Sequence, residues 1–451
     1  MPIFRSMVAA AVLLVGMMGP GNTKQPSENW ISTWAAPPVA RLDQPAQSLS
    51  AAGQGFPWVN DVPPAVREAA PAQQLPVGGV SPLHFNNQTL RQIANVSVGG
   101  QRVRVVLANT FGTLPLRIGA AQVALRDKGP AIAAGSNRVL TFGGLAQPVV
   151  PPGAILVSDP VDLALPDFAD LIVDIYLPDD SAAWKSPITV HPASWQVNYL
   201  SVSGNHAGAV TFPVSTTTAY RRSDGLASAS SFFLARIEVL APEATGVLVA
   251  LGDSITDGTQ SGIDLNRRWP DIFARRLAAA GIRMAVANGG IGGGRVLEDG
   301  VGPNALARFD RDVLAQPGVT HVTVLEGVND IGAAGARPSP TVADLISGHQ
   351  QLIARARARG LKIYGATLAP FEGAAYWTPE GEAKRQALNN WIRTSGAYDA
   401  VLDLAVVLQD PARPTRMRAE YDSGDHLHPG PAGYAAMAAS IDVELFRNKS
   451  D

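Results

Sequence analysis

The pattern of hydrophobic and polar positions along the chain changes near residue 245. Before it, apolar residues alternate with polar ones, and Val103, Val105 and Leu107 in QRVRVVLAN fall on one face of an extended segment. Glycine and proline turns separate such runs, which is typical of many short strands. The predicted strands are 30–36, 90–98, 103–108, 116–125, 154–157, 171–177, 195–202 and 232–240. The pattern predicts a β-sandwich or jelly-roll-like domain over residues 30–244, with a long irregular segment at 37–82.

The second half alternates apolar strands with helical stretches, which is the pattern of βαβ units. Residues 247–251 (VLVAL) are an unbroken apolar run, as expected for a parallel strand buried on both faces. Trp269 and Pro270 open a helix, and Thr341 with Asp344 forms a capping box for another. Further strands are predicted at 284–287, 321–325, 362–368 and 401–404, and further helices at 380–394 and from Pro431. The predicted fold class is α/β, a doubly wound parallel sheet over residues 245–447 with its ligand site beyond the carboxyl ends of the strands.

The first residues have the pattern of a secretory signal peptide. Arg5 precedes an apolar stretch at residues 7–18, and Gly19-Pro20-Gly21 ends it. A stretch of this length is too short to span a bilayer. We therefore expect residues 1–21 to be a signal peptide and the protein to be secreted or periplasmic, without a stable membrane anchor.

Composition and charge exclude several classes of function. The 36 Lys and Arg residues balance 38 Asp and Glu residues over 451 positions, so no basic surface for nucleic acid is expected. The chain contains no Cys, which excludes disulfides, thiolate zinc sites, iron–sulfur clusters and a cysteine nucleophile. Apolar residues make up 46% of the chain and charged residues 16%, so the disordered class is excluded as well. The sequence does not indicate an oligomeric state.

Four polar, glycine-bearing segments lie at the ends of the predicted strands or before the last helix. They are GDSITDG at 252–258, NGGIGGGR at 288–295, EGVND at 326–330 and DSGDHLHP at 422–429. Because the carboxyl ends of parallel strands meet at one edge of a sheet, these segments are expected to converge there. Their order and placement together predict a single functional site.

The four segments contain the groups that acyl transfer requires. A serine hydroxyl is a poor nucleophile at neutral pH unless a base adjoins it. Ser254 lies at the first strand-to-helix turn, while Asp425 and His428 are three residues apart in one loop, so the carboxylate can orient the imidazole toward Ser254. The glycine-rich loop and Asn329 can supply hydrogen-bond donors to a tetrahedral intermediate.

GDSITDG, the Gly after NGGI, GVND and DHLH resemble, in the same order, the four sequence blocks of the SGNH (GDSL) hydrolases. The resemblance covers roughly residues 246–446. It implies a flavodoxin-like three-layer fold and carboxylic ester hydrolase activity without a cofactor. The residues it implies are Ser254 as nucleophile and first oxyanion donor, Gly293 and Asn329 as further oxyanion donors, His428 as base and Asp425 as its partner. Gly292 and Gly294 adjoin Gly293 and leave that assignment open.

A finer resemblance extends into the first half. WISTWAAPP, LRQIANVSVGGQRVRVVLANTFG, SDPVDL and RRWPD look like segments of exported bacterial esterases that carry a β-rich domain ahead of the catalytic one. That subgroup is often described as arylesterase-like or associated with xylan breakdown. The resemblance implies short-chain acyl esters as substrates, either acetyl esters on carbohydrate or aryl esters. Tyr376 and Trp377 are candidates for lining the acyl or sugar site.

The residues alone leave alternatives open. Asp422, Asp425, His426 and His428 form a cluster that can ligate a metal, although two His at i, i+2 are not a typical zinc spacing. The β-rich domain can be a carbohydrate-binding module beside an inert hydrolase domain. A polysaccharide O-acyltransferase would use the same residues, with a sugar hydroxyl in place of water as the acyl acceptor. Nucleotide binding is disfavoured, because the glycine loop fits neither G-x-G-x-x-G nor G-K-[ST].

Overall fold

A computed structural model describes residues 28–41, 84–183, 186–221, 227–242, 244–332 and 339–447. The predicted signal peptide and most of the predicted irregular segment at 37–82 lie outside these residues. The described beginning of that segment is not irregular, because Val39–Arg41 is a strand that pairs with Ile188–His191. In the described ranges, no helix is long and apolar enough to cross a membrane.

The chain before residue 245 is built from antiparallel strands. Numbered β1 to β18 in chain order, they are Trp30–Ala35, Val39–Arg41, Gln88–Asn95, Gly100–Ala108, Leu116–Arg117, Ala120–Leu125, Arg138–Val139, Val149–Val150, Ile155–Val157, Val161–Leu165, Asp170–Leu177, Ile188–His191, Tyr199–Ser203, Val214–Thr217, Tyr220–Arg221, Ala227–Ser228, Ser231–Phe232 and Leu234–Leu240. The two largest of their sheets have the orders β1-β18-β4-β10, with β9 beside β4, and β14-β13-β3-β11-β6-β7. Val103, Val105 and Leu107 of β4 are buried, as the alternation predicted. Buried side chains of both sheets belong to one hydrophobic core.

The strands predicted at 195–202 and 116–125 differ from the structure for identifiable reasons. The strand predicted at 195–202 begins only at Tyr199, since Trp195 has φ 55°, a left-handed conformation that a strand residue does not adopt. The strand predicted at 116–125 is split, because Leu116–Arg117 pairs with β8 whereas Ala120–Leu125 pairs with β11.

The chain after residue 245 forms the predicted parallel sheet. Its strands are Gly246–Gly252 (β19), Met284–Gly290 (β20), Val319–Leu325 (β21), Lys362–Ala366 (β22) and Ala400–Leu402 (β23), followed by a small hairpin of Gln409–Asp410 (β24) and Arg413–Met417 (β25). Its helices are Ser254–Asp257 (α1), Trp269–Ala279 (α2), Ala305–Phe309 (α3), Val328–Gly332 (α4), Val342–Ala358 (α5), Pro379–Thr394 (α6), Leu404–Leu408 (α7) and Pro431–Ser440 (α8), with a π-helical turn at Asp310–Leu314 and 3₁₀ turns at Ser181–Ala183 and Val443–Phe446. The order β20-β19-β21-β22-β23 is doubly wound, so the α/β prediction is confirmed.

Local signals in the sequence explain where these helices begin and end. Pro270 occupies the first turn of α2, and Thr341 and Asp344 form the predicted capping box of α5. Gly360, at φ 70°, follows the last turn of α5. The prediction was wrong for β20, which continues through Gly290 instead of ending at residue 287. A Cβ at Gly290 would lie 2.3 Å from the backbone nitrogen of Asp257, so only glycine lets β20 pass this close to α1.

The two halves of the chain share a continuous hydrophobic core. The backbone N–H of Ser32 in β1 donates to the carbonyl of Pro317 (2.9 Å), and that of Val286 in β20 donates to Ser97 Oγ (2.9 Å). A Cβ at Gly318 would lie 2.6 Å from the Ile31 side chain, so the chain at Gly318 packs directly against that side chain. These contacts hold the β-rich half against the parallel sheet, at the start of β21 and along β20.

Candidate active site

Ser254, His428 and Asp425 form a chain of hydrogen bonds at the carboxyl end of β19. Nε2 of His428 lies 2.8 Å from Ser254 Oγ, and Nδ1 of His428 lies 2.6 Å from Asp425 Oδ2. Because a carboxylate can only accept, Nδ1 carries the ring proton and Nε2 is left to accept from the serine hydroxyl. All three side chains are buried. This is the geometry in which a serine hydroxyl loses its proton to a neutral imidazole.

The second carboxylate oxygen of Asp425 is held by its own loop. It accepts from the backbone N–H groups of Leu427 (3.0 Å) and His428 (2.8 Å) and from Ser423 Oγ (3.1 Å). Burial by itself raises the pKa of Asp425, but the His428 charge and the hydrogen bonds from the His428 ring and from the backbone N–H groups of His428 and Leu427 lower it to about 2. Asp425 is therefore an ionised, fixed acceptor throughout the neutral pH range.

The cluster that raised the possibility of a metal divides into two separate pairs. His426 Nδ1 lies 2.5 Å from Asp422 Oδ2, while His428 is bound to Asp425. His426 is half exposed, whereas His428 is buried. In the part of the chain that the structure describes, no three His, Asp or Glu side chains come together as a metal group.

The three glycines among which the sequence left the assignment open differ in the hydrogen bonds of their N–H groups. The N–H of Gly292 donates to Asp257 Oδ2 (2.9 Å), and that of Gly294 donates to the carbonyl of Ile291 (2.9 Å). The N–H of Gly293 has no acceptor among the described residues. Gly293 has φ 72°, a conformation that glycine adopts without strain. Gly293 is thus the glycine whose N–H is available to a substrate oxygen.

Ser254 and Asn329 supply two further unused donors. Ser254 is the first residue of α1, so its N–H has no intrahelical acceptor, and Asp253 caps the helix by accepting from Ile255 N–H (2.8 Å). Asn329 Nδ2 donates one proton to the carbonyl of Gly294 (2.9 Å) and keeps its second N–H free of acceptors within the described residues. The amide of Asn329 is therefore oriented by the same loop that contains Gly293.

The two aromatic candidates differ in their relation to the site. The hydroxyl of Tyr376 donates to Asn329 Oδ1 (3.4 Å), and a Cβ at Gly332 would meet the Tyr376 ring at 2.0 Å. Trp377 is partly buried against the hydrophobic core. Tyr376 thus contacts Asn329 directly, while a role for either aromatic residue in lining the site stays a prediction.

Arg308, which the sequence reasoning missed, holds three strand ends together beneath the site. Its guanidinium donates to the carbonyls of Gly252 (3.0 Å) and Gly289 (2.7 Å) and to Glu326 Oε1 (2.9 Å). These acceptors end β19, lie in β20 and follow β21, the strands from which Ser254, the glycine loop and Asn329 emerge. No local motif marks Arg308, because its role depends only on packing.

Three buried carboxyl groups near Ser254 have raised pKa values, which favours their neutral form. Burial raises the pKa of Asp253 to about 7 and that of Asp330 to about 6, and it raises the pKa of Glu326 well above its usual value. Asp253 Oδ2 and Glu326 Oε2 are buried and have no donor among the described residues. Arg308 and the backbone N–H groups of Ile255, Val296 and Leu297 offset part of this cost.

His191, from strand β12 of the β-rich half, reaches the helix that carries Ser254. Its Nε2 lies 3.1 Å from Asp257 Oδ1, and its Nδ1 lies 2.9 Å from the carbonyl of Pro37. Both partners can only accept, so both ring nitrogens carry protons and His191 is an imidazolium. Burial lowers the pKa of His191 and the charge of Arg268 opposes protonation too, but the Asp257 charge and the two hydrogen bonds raise it more, so that the net shift is upward.

This charge state predicts a pH-dependent contribution of His191 to stability. Because the pKa of His191 is raised in the folded state, its stabilisation is complete below the ordinary His pKa of about 6.5 and is lost as pH rises through the folded-state pKa. We expect the Tm difference between the wild type and His191→Gln to shrink as pH rises above about 6.5, measured by thermal unfolding at constant ionic strength. The partly exposed His206, replaced in the same way, is the control. A His191→Gln difference that does not change with pH would mean that His191 is neutral.

Residues 250–436, which contain all four segments, match the model of the GDSL-like lipase/acylhydrolase family. This part of the chain is a GDSL-like lipase/acylhydrolase domain. Membership of this family identifies the GDSL domain as a carboxylic ester hydrolase. No curated protein matches the chain.

Several solved structures are similar to part of this chain. A GDSL-like lipase from Bacteroides thetaiotaomicron is 20% identical, with 43% of this chain and 84% of that chain covered and a TM-score of 0.32. The aryl esterase of M. smegmatis is 17% identical, with 44% and 97% covered and a TM-score of 0.36. An acetyl xylan esterase is 19% identical, with 43% and 96% covered and a TM-score of 0.34. Because these TM-scores are low, the assignment of the GDSL domain rests on the family model.

Proposed function

We propose that this protein is a secreted serine esterase that hydrolyses short-chain acyl esters. The observation that carries the proposal is the hydrogen-bonded chain from Asp425 through His428 to Ser254, beside three N–H donors that have no acceptor among the described residues. A nucleophile, a base and an oxyanion site are together sufficient for acyl transfer, and no step requires a cofactor. The signal-peptide pattern at residues 1–21 supports export.

In the proposed mechanism, Ser254 Oγ attacks the ester carbonyl carbon while His428 Nε2 takes its proton. The tetrahedral oxyanion accepts from the N–H of Ser254, the N–H of Gly293 and the side-chain amide of Asn329. His428, stabilised as an imidazolium by Asp425, then gives its proton to the departing alcohol. Water attacks the acyl-enzyme with His428 again as the base, which releases the acid and restores Ser254.

The proposed substrates are acetyl esters on carbohydrate or aryl esters, with Tyr376 and Trp377 at the edge of the acyl or sugar site. This choice is supported by the sequence resemblance to exported esterases, and the β-rich half is proposed to be a β-sandwich of the kind those proteins carry. A panel of p-nitrophenyl esters of increasing acyl length, run beside acetylated xylan, tests it. We expect the highest kcat/KM on the acetyl ester and release of acetate from the polymer. A preference for long acyl chains would contradict the proposed substrate class.

Two alternatives make different predictions in the same assay. A polysaccharide O-acyltransferase would pass the acyl group to an added oligosaccharide, so the acylated sugar would exceed the free acid among the products. A carbohydrate-binding protein with an inert hydrolase domain would turn over no ester at all. The 2.8 Å hydrogen bond between Ser254 Oγ and His428 Nε2 favours a working nucleophile over the inert alternative.

Asn329→Ala is expected to lower kcat on p-nitrophenyl acetate by about a hundredfold to a thousandfold, because it removes one oxyanion donor. KM should change much less, since the oxyanion forms only after binding. Steady-state kinetics on the purified variant check this. Asn304→Ala is the matched control, since Asn304 caps α3 and makes no contact with the triad. Equal losses in the two variants would mean that Asn329 acts only through stability.

A further inference from the structure

We propose that the β-rich half is a positioning part of the active site, acting through His191 and Asp257 on the loop that presents Gly293. The inference rests on the proposed function, because it assigns His191 a role in the esterase reaction. His191 is a positioning residue, since it reaches the reacting atoms only through Asp257 and Gly292.

One buried carboxylate links the two halves of the chain to the oxyanion loop. Asp257 accepts from His191 Nε2 on Oδ1 (3.1 Å) and from the N–H of Gly292 on Oδ2 (2.9 Å). Asp257 is also the last residue of α1, the helix that begins at Ser254. The same carboxylate therefore sets the position of the glycine loop relative to the nucleophile. Because Gly292 precedes Gly293, its anchoring fixes where the free N–H points.

Asp257 depends on His191 for this role. Its side chain is 1% exposed, so each carboxylate oxygen needs a protein donor. His191 is the donor that the structure shows on Oδ1, and the neighbouring cation, Arg268, is bound to Asp271 through two nitrogens (2.7 and 2.9 Å). Without His191, the buried carboxylate would rotate or take up a proton, and either change disturbs the bond from Gly292.

A second set of contacts joins the β-rich half to the GDSL domain near His191 and Asp257. The loop after His191 and the loop after α1 interlock, since Asp264 N–H donates to the Trp195 carbonyl (2.9 Å) and Val197 N–H donates to Asp264 Oδ1 (2.7 Å). Of the eight non-glycine residues with positive φ in the described ranges, four lie in these two loops: Trp195, Gln260, Asp264 and Asn266. Such conformations cost free energy and persist where the surrounding contacts over-determine them. The GDSL domain thus holds its active-site helix against the β-rich half at two points.

The test compares His191→Ala and His191→Gln with the wild type in the full chain. Gln keeps one N–H donor for Asp257 without the charge. Asp174→Asn is the matched control, because it removes a buried charge from the β-rich half, where Asp174 pairs with Arg91 (2.6 Å), without touching Asp257. Active sites are counted with a phosphonofluoridate that reacts with an activated serine. Per titrated site, kcat and KM on p-nitrophenyl acetate and the inhibition constant of phenylboronic acid, a tetrahedral analogue, are measured.

We expect His191→Ala to lower kcat per titrated site on the order of tenfold to a hundredfold, less than outright loss of an oxyanion donor. KM should stay within about threefold, and the inhibition constant of phenylboronic acid should rise by a factor similar to the loss in kcat, because both report binding of the tetrahedral state. His191→Gln should recover part of the loss. Asp174→Asn should lower Tm and leave kcat unchanged.

The outcomes separate the inference from the proposed function. Normal kcat and phenylboronic acid binding per titrated site in His191→Ala, with a wild type that reacts with the phosphonofluoridate, would overturn the inference alone. Equal losses in His191→Ala and Asp174→Asn would likewise overturn it, since the effect would then be general destabilisation. A wild type that neither reacts with the phosphonofluoridate nor hydrolyses the ester would overturn the proposed function, and the inference with it.

Discussion

Replacing Ser254 with Ala is expected to lower kcat on p-nitrophenyl acetate by about four to six orders of magnitude. The Oγ atom lies 2.8 Å from His428 Nε2, so its removal takes away the nucleophile and leaves the base without a proton to accept. The three N–H donors stay in place, so a residual rate above the uncatalysed one is expected from oxyanion stabilisation alone. The variant should fold as the wild type does, because one buried hydroxyl is lost and Asp253 still caps α1. Stopped assays at high enzyme concentration measure so slow a rate.

Ser261→Ala is the matched control for this prediction. Ser261 is buried in the segment after α1, and its Oγ has no partner among the described residues, so its loss should leave kcat near the wild-type value. A Ser254→Ala enzyme that retains more than about a hundredth of wild-type kcat would refute the nucleophile assignment. His428→Ala should fall into the same range as Ser254→Ala, because residues that act as one unit do not lose activity additively. His426→Ala, two residues away and half exposed, should not.

Much of the fold could be predicted because its signals are local. An unbroken apolar run at 247–251 indicates a strand buried on both faces, and Pro270, Thr341 and Asp344 mark helix starts within one turn. The predicted strand at 195–202 failed because a left-handed residue such as Trp195 leaves no trace in the hydrophobic pattern. The extent of β20 was misjudged because glycines usually indicate loops, and here Gly290 is required by the close approach of α1.

Part of the site could be predicted from local segments as well. Short polar segments with the spacing that acyl transfer needs contain four of its residues, and the structure brings these together: Ser254, Asn329, Asp425 and His428. The choice among the three glycines required knowing which atoms accept from Gly292 and Gly294. The acceptor of Gly292 is Asp257, which lies on another element. Arg308 could not be found from the sequence, because a lone Arg in a helix acquires a role only through long-range packing. The sequence favours a surface or packing role for His191 over one at the site, because its contact with Asp257 joins residues far apart in the chain.

Asp425→Asn is expected to lower kcat by about four orders of magnitude while the fold stays intact. The amide oxygen of Asn can still accept from the backbone N–H groups of Leu427 and His428, which hold Oδ1 at 3.0 and 2.8 Å. The amide NH₂ then faces His428 Nδ1, where the carboxylate Oδ2 had been at 2.6 Å. Because an NH₂ group donates, Nδ1 must become the acceptor and the ring proton moves to Nε2. His428 then donates toward Ser254 and cannot take its proton.

The neighbouring acid provides the comparison that isolates this effect. Asp422 forms its own pair with His426, so Asp422→Asn makes the same chemical change three residues away without altering the His428 tautomer. We expect it to change kcat by less than about tenfold, well below the effect of reversing a catalytic tautomer. Steady-state kinetics and one-dimensional proton NMR of the imidazole N–H signals measure activity and tautomer together. If Asp425→Asn retained more than about a tenth of wild-type kcat, Asp425 would not be the group that orients His428. The base would then have to be held by the burial of its ring alone, which offers no preference between the two nitrogens.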